Sequence, residues 1–126
     1  MKTAPKLITV LDGVTATTTS AAQGVENAKK ITFLFTRANH SAGSSAFKVS
    51  GSIDGAAGTY VDLNLLIDNV TNTNAQTVTR VGTVTLSSNT SKVYALDMES
   101  FNFNYITVTV TETTDGTHTA KMLLES

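Results

Sequence analysis

Two histidines, ten acidic residues and an abundance of hydroxyls are the side chains from which this chain would have to build a reaction centre. A Ser-His-Asp arrangement needs three side chains that converge, with the base oriented by an acid. His40 sits in the polar stretch Asn39-His40-Ser41, and His118 alternates with Ala120 near the carboxyl end. Neither lies in the strand-turn-helix context of a nucleophile elbow, and Ser and Thr are too numerous for any one to stand out. Both histidines read as satisfied or exposed side chains. Zinc would need several His or Cys at ligand spacing, and two isolated His in a chain without Cys do not supply it. Calcium takes oxygen ligands, and Asp97 and Glu99, two apart, would share a face of a strand. Asp54, Asp62, Asp68 and Asp115 fall at turns or strand ends, and no segment packs alternating acids into one loop. They read as turn-forming and solubilising acids. The expectation is a protein without catalytic residues, metal or cofactor, and so not an enzyme.

Binding chemistry has more material. Phe101, Phe103 and Tyr105 share parity, with Asn102 and Asn104 between them. Facing outward they would make a stacking platform for a sugar; facing inward they would fill a core, which is the better supported placement. A net charge of -1 and nine Lys and Arg scattered from Lys2 to Lys121 argue against a nucleic-acid surface. The three Asn-x-Ser/Thr triplets at Asn39, Asn69 and Asn89 are what chance gives in a composition this rich in Asn, Ser and Thr. The amino terminus is basic, but Leu7 to Leu11 is too short a patch for a secretory signal, and no apolar run approaches the about 20 residues of a membrane span. The expected protein folds where it is made, binds no membrane, and leaves a cell by lysis or by a route without a cleaved signal.

The elements that must carry any such surface are written in threonine. Twenty-three of the 126 residues are Thr, in alternating runs such as Thr107-Val108-Thr109-Val110-Thr111. Thr is β-branched, so it suits a pleated strand, and its hydroxyl tolerates water on the outer face. Alternation is clear from Lys30 onward, where Ile31, Phe33 and Phe35 share one face. Strand patterns recur through the chain at intervals of roughly 8–12 residues, and no window holds a helical period. The pattern predicts an all-β, antiparallel sandwich of about eight strands with jelly-roll or immunoglobulin-like topology. Ile31, Phe33, Phe35, Phe47, Val49, Leu63, Leu65, Val108 and Val110 form its expected core, Asn69 to Ala75 a polar loop, and Gly82 a bulge or strand break. Residues 30–126 are the expected sandwich domain. Residues 1–29 hold a strand, Lys6 to Val14, and a small-residue connector, Thr15 to Ala22. That strand is either an ordinary edge strand or an extended arm that pairs with a neighbouring subunit.

Phe47-Lys48-Val49-Ser50-Gly51-Ser52-Ile53-Asp54-Gly55, followed by Tyr60, resembles two groups of proteins. One is the discoidin-like carbohydrate-binding sandwiches; the other is the small β-sandwich virion proteins of tailed bacteriophages, including head decoration (cement) and tail components. Val93-Tyr94-Ala95-Leu96-Asp97 and then Phe103-Asn104-Tyr105-Ile106-Thr107-Val108-Thr109-Val110 is similar to the phage-type ending, an aromatic before a long final pair of strands. Discoidin domains usually carry Trp after the turn and often a disulfide between their ends. Tyr60 and the absence of Cys therefore favour the phage group. The resemblance implies a non-enzymatic virion structural protein, assembled in the host cytoplasm, that decorates and stabilises a head lattice. Its implied partners are the major capsid protein or another virion protein and further copies of itself, a trimer being favoured. The contacts expected on this reading are Leu7, Ile8, Val10 and Leu11, on a segment, Met1 to Val14, whose deletion would leave a folded domain but abolish partner or self-association. The alternatives are a carbohydrate-binding module and a tail or adhesion component.

Overall fold

The computed structural model describes residues 4–72, 75–98 and 103–126. Among them are twelve strands: β1 (Lys6–Val14), β2 (Thr18–Thr19), β3 (Gln23–Gly24), β4 (Lys30–Ala38), β5 (Ser45–Ser52), β6 (Val61–Asp62), β7 (Leu65–Asn72), β8 (Ala75–Val81), β9 (Val84–Leu86), β10 (Thr90–Leu96), β11 (Tyr105–Glu112) and β12 (Thr117–Glu125). The fold is an all-β sandwich. One sheet runs β1-β12-β4-β10-β7-β8 and the other β2-β11-β5-β6, with β3 also on β11 and β9 on β5. Eight of the twelve strands have seven residues or more; the other four have two or three, too short to leave any alternation in the sequence. That is why about eight were expected.

Threonine and alternating apolar residues do what their periodicity requires. All nine expected core residues are buried, at 0–1 % exposure. They join residues such as Leu86, Ile106, Ala120 and Met122 in one cluster fed by both sheets. Phe35 of the first sheet stacks on Phe47 of the second at 4.8 Å between ring centroids. At Gly82 the chain leaves the first sheet and enters the second, so the change of parity there is a change of sheet. Of the polar loop expected over Asn69 to Ala75, Asn69 to Asn72 and Ala75 are strand instead, and Thr73 and Asn74 lie outside the described residues. β7 and β8 stay paired to Asn69 opposite Thr77 and again at Asn72 opposite Ala75, with a register shift between. Backbone pairing of the two strands overrides the turn preference of short amide side chains.

One end of the sandwich is closed by a cation. Arg37 stands on the inward parity of β4 with its side chain fully buried. Its Nη1 donates to the carbonyls of Gly43 (2.9 Å) and Leu86 (3.1 Å), and its Nη2 to those of Ala42 (2.9 Å) and Asp115 (2.6 Å). Asp115 completes the closure. Its carboxylate accepts from the Ser41 hydroxyl, from the Ser41 N–H at 3.1 Å and from the Ala42 N–H at 3.4 Å, and lies 3.5 Å from Arg37 Nη2. The Ser41 hydroxyl and N–H, then Ala42 and the Arg37 charge, hold this carboxyl below its ordinary range against an opposing effect of burial.

A depressed folded-state pKa gives stability that is full above the unfolded value and is lost as pH falls through the folded one. The gap in urea midpoint between wild type and Asp115→Asn is therefore expected to stay level at neutral pH and to narrow below about pH 4. Asp54 and Asp62, also held low by turn and Lys48 contacts, titrate in both proteins and cancel. A gap that stays constant down to pH 2 would contradict the assignment.

Candidate interaction face

The four residues expected to make contacts lie on β1, and the structure separates them. Leu7 is 63 % exposed, Ile8 and Val10 are half-buried against the core, and Leu11 is 3 % exposed. Leu11 is thus a core residue and not a contact. Nor is the segment a detached arm. β1 pairs along β12 from Lys6 opposite Leu124 to Val14 opposite His118. The supposed connector is stitched to the other sheet. Ser20 N donates to Val108 O at 2.8 Å, Val108 N to Ser20 Oγ at 2.9 Å, and Glu112 N to Thr17 Oγ1 at 3.0 Å. The boundary expected after residue 29 does not divide the fold, because the first 29 residues supply edges to both sheets. A domain without them would lose Leu11 from its core and Val14 from beside His118.

That histidine forms the one buried hydroxyl–imidazole pair in the described residues. Its Nδ1 lies 3.0 Å from the Val14 carbonyl, which can only accept, so Nδ1 carries the proton. In the neutral ring Nε2 then accepts from the Ser45 hydroxyl at 2.5 Å. Ser45 and His118 are both at 0 % exposure, and the pair ties β5 to β12 across the two sheets. Its geometry is that of a structural tie between the sheets. His40 lies in the β4–β5 loop, where its N–H donates to Asn89 Oδ1 at 2.8 Å.

The remaining candidates are placed as follows. Asp97 is 5 % exposed and pairs with Arg80 Nε at 3.0 Å; Glu99 and Phe101 lie outside the described residues. Among the described residues no three His, Asp or Glu side chains gather as a metal site. Asp54 Oδ1 caps its own turn, accepting from Ala56 N at 3.0 Å and Thr59 Oγ1 at 2.9 Å. Asp62 pairs with Lys48 at 2.8 Å. Phe103 packs on the core beside a hollow of about 310 Å³ that Asn27, Met98 and Asn104 also line. The Tyr105 ring lies over Gly55, where even an added Cβ would come within 3.1 Å of it. Phe103 thus packs against the core as expected, whereas Tyr105 does not: it shares the outer parity of Thr107 and Thr109 on β11 and is held there against the Gly55 turn.

What distinguishes the surface is an asymmetry between the two outer faces. On the second sheet, register sets Thr19 beside Thr109 and Lys48, Thr107 beside Ser50 and Asp62, and Thr111 beside Ala46 and Thr85. That face is mostly hydroxyl and charge, with Ala46 within it and Tyr105 at one end. The first sheet carries Leu7 beside Leu123, Leu34 beside Val93, and Ala95 beside Leu66. Leu123 and Leu34 are diagonal neighbours, since Leu123 opposes Thr32, and Val93 and Ala95 are two apart on β10. The six residues make an apolar strip across five strands, with Thr32 between Leu123 and Ala95 and Lys121 beside Leu34, ending at the Arg80–Asp97 ion pair. Val93 is 58 % exposed and Leu7 63 %, and the other four are partly exposed. A run of apolar groups on one outer face, opposite a wetter one, is the candidate interaction surface of the fold. Of this strip only Leu7 is among the contacts expected from the sequence. The available signal was an apolar residue on both parities, as in Phe33-Leu34-Phe35 and Met122-Leu123-Leu124.

No protein-family model and no curated protein matches the sequence. Among solved structures the chain is similar to the crystal structure of the SPBc2 prophage-derived protein YomS, with a TM-score of 0.65 and 14 % sequence identity over 98 % of this chain and 94 % of that one. At that identity the likeness is one of fold, and it extends over nearly the whole of both chains.

Proposed function

We propose that this chain is a non-enzymatic virion structural protein that decorates a phage head, docking on the major capsid protein or another virion protein. The observation that carries the reading is the asymmetry of the sandwich: a hydroxyl-covered outer face on one sheet and the Leu7-to-Leu66 apolar strip on the other. Such a body has one side suited to water and one suited to a lattice. The similarity in fold to a prophage-derived protein supports the phage setting.

The mechanism is adhesive. Apolar area removed from water contributes roughly 25 cal/mol per Å², less the cost of ordering and of lost rigid-body freedom. A sheet orders its side chains before binding, so little of the gain is spent on ordering. Spread over the joint between two capsid subunits, the contact opposes their separation. The test is to add the purified protein to capsids assembled without it and pellet them. Co-sedimentation that saturates at a fixed ratio to capsid subunits is expected. Protein left in the supernatant, yet retained on an insoluble polysaccharide, would replace this reading with a carbohydrate-binding one.

A further inference from the structure

We infer that the free edge of β1 pairs with β1 of a second copy, across a two-fold axis at Leu7. This deepens the docking reading, because two joined chains would present their apolar strips side by side, but it stands on separate observations. The first sheet has two long edges, nine-residue β1 and seven-residue β8, whereas β2 and β6, at the ends of the second, have two residues each; β8 carries the Arg80 charge opposite Leu66, and β1 carries Leu7 opposite Leu123. Edge strands present unpaired N–H and C=O groups, and proteins blunt them with bulges, proline and charge. Here the blunting is confined to the ends. Pro5 carries no N–H, and the register shifts between Thr9 and Leu11 and between Leu11 and Val14 take the second half out of regular geometry. Lys6 to Thr9 remains open.

Side-chain parity then limits the register. Leu7 and Thr9 share the outer face, and a continuous sheet needs outer residues opposite outer ones, so the axis must lie on a residue and not between two. Placed on Leu7, it sets Lys6 opposite Ile8 and Leu7 opposite Leu7. Because Leu123 is the neighbour of Leu7 on β12, four leucines then run in a row across the axis. The charges allow it. The two Lys6 become diagonal neighbours, about 7–8 Å apart at Cα, near the Debye length at physiological salt. Asp12 falls beyond the bulge.

The chain has no Cys, so a single introduced thiol reports only its own surroundings. Directly opposed residues of an antiparallel pair lie within disulfide range. With oxidised glutathione added as the oxidant, Leu7→Cys is expected to form a disulfide-linked dimer about 100-fold faster than Val61→Cys, since paired strands hold the two thiols at millimolar effective concentration. Val61 is 50 % exposed on β6 of the other sheet and serves as the control. Wild type should sediment as a concentration-dependent dimer, and Leu7→Asp as a monomer. Equal cross-linking rates, a wild type that stays monomeric, or a trimer, which needs two different patches, would each overturn the inference. Failure of capsid docking with the dimer intact would fail the docking reading and leave this one standing.

Discussion

Arg37→Ala is expected to cost about 3–5 kcal/mol in denaturant unfolding, far more than an ordinary surface cation. Four carbonyl oxygens converge on its guanidinium, from Ala42, Gly43, Leu86 and Asp115. They belong to the β4–β5 loop, the end of β9 and the β11–β12 turn. Each would lose a charge-assisted donor inside a buried cluster, and unmade bonds of that kind cost about 1–3 kcal/mol apiece before water enters. Arg37→Lys is expected to recover only part of the loss. A compact ammonium replaces a planar fork that reaches four acceptors from two nitrogens. A loss under about 1 kcal/mol for Arg37→Ala would show that the β4–β5 loop, the end of β9 and the β11–β12 turn hold their shape without it.

Phe47→Ala is expected to cost about 3–5 kcal/mol, the range for deleting a buried aromatic ring. Phe47 is at 0 % exposure on β5, stacked 4.8 Å from Phe35 and edge-on to the His118 ring at 6.1 Å. It touches strands of the opposite sheet from both sides, so its removal opens a cavity at the joint where neither rigid sheet can collapse to fill it. Equilibrium urea unfolding measures the loss. A change under about 1 kcal/mol would mean the sheets can slide together, contrary to the packing described.

These two residues also mark how far the sequence is legible. Phe47 stands in an alternating run, and its burial follows from period two alone. Arg37 continues the inward parity of Ile31, Phe33 and Phe35, yet a charged residue at a strand end looks like an exposed one. Its role depends on carbonyls brought from residues 42, 43, 86 and 115, which only the tertiary fold assembles. The same limit separates Leu7 from Leu11. Local alternation gives a strand over Lys6–Val14, but it does not say that β12 is its partner or that the bulge near Val10 turns Leu11 into the core. The apolar strip is partly visible, in leucines on the wrong parity. Its continuity is not, because Leu34, Val93 and Leu123 come from three strands joined by long connections.

The central claim is that the outer face of the first sheet docks on the capsid and that of the second does not. The measurement is capsid co-sedimentation of two matched variants, Val93→Asp and Thr107→Asp, each a single carboxylate placed on one outer face. Val93 is 58 % exposed and Thr107 is partly exposed on the hydroxyl face, so neither change disturbs the core. Val93→Asp is predicted to bind capsids at least about 30-fold more weakly, the loss of a buried interface position, while Thr107→Asp binds as wild type does. Wild-type affinity for Val93→Asp together with lost binding by Thr107→Asp would contradict the account.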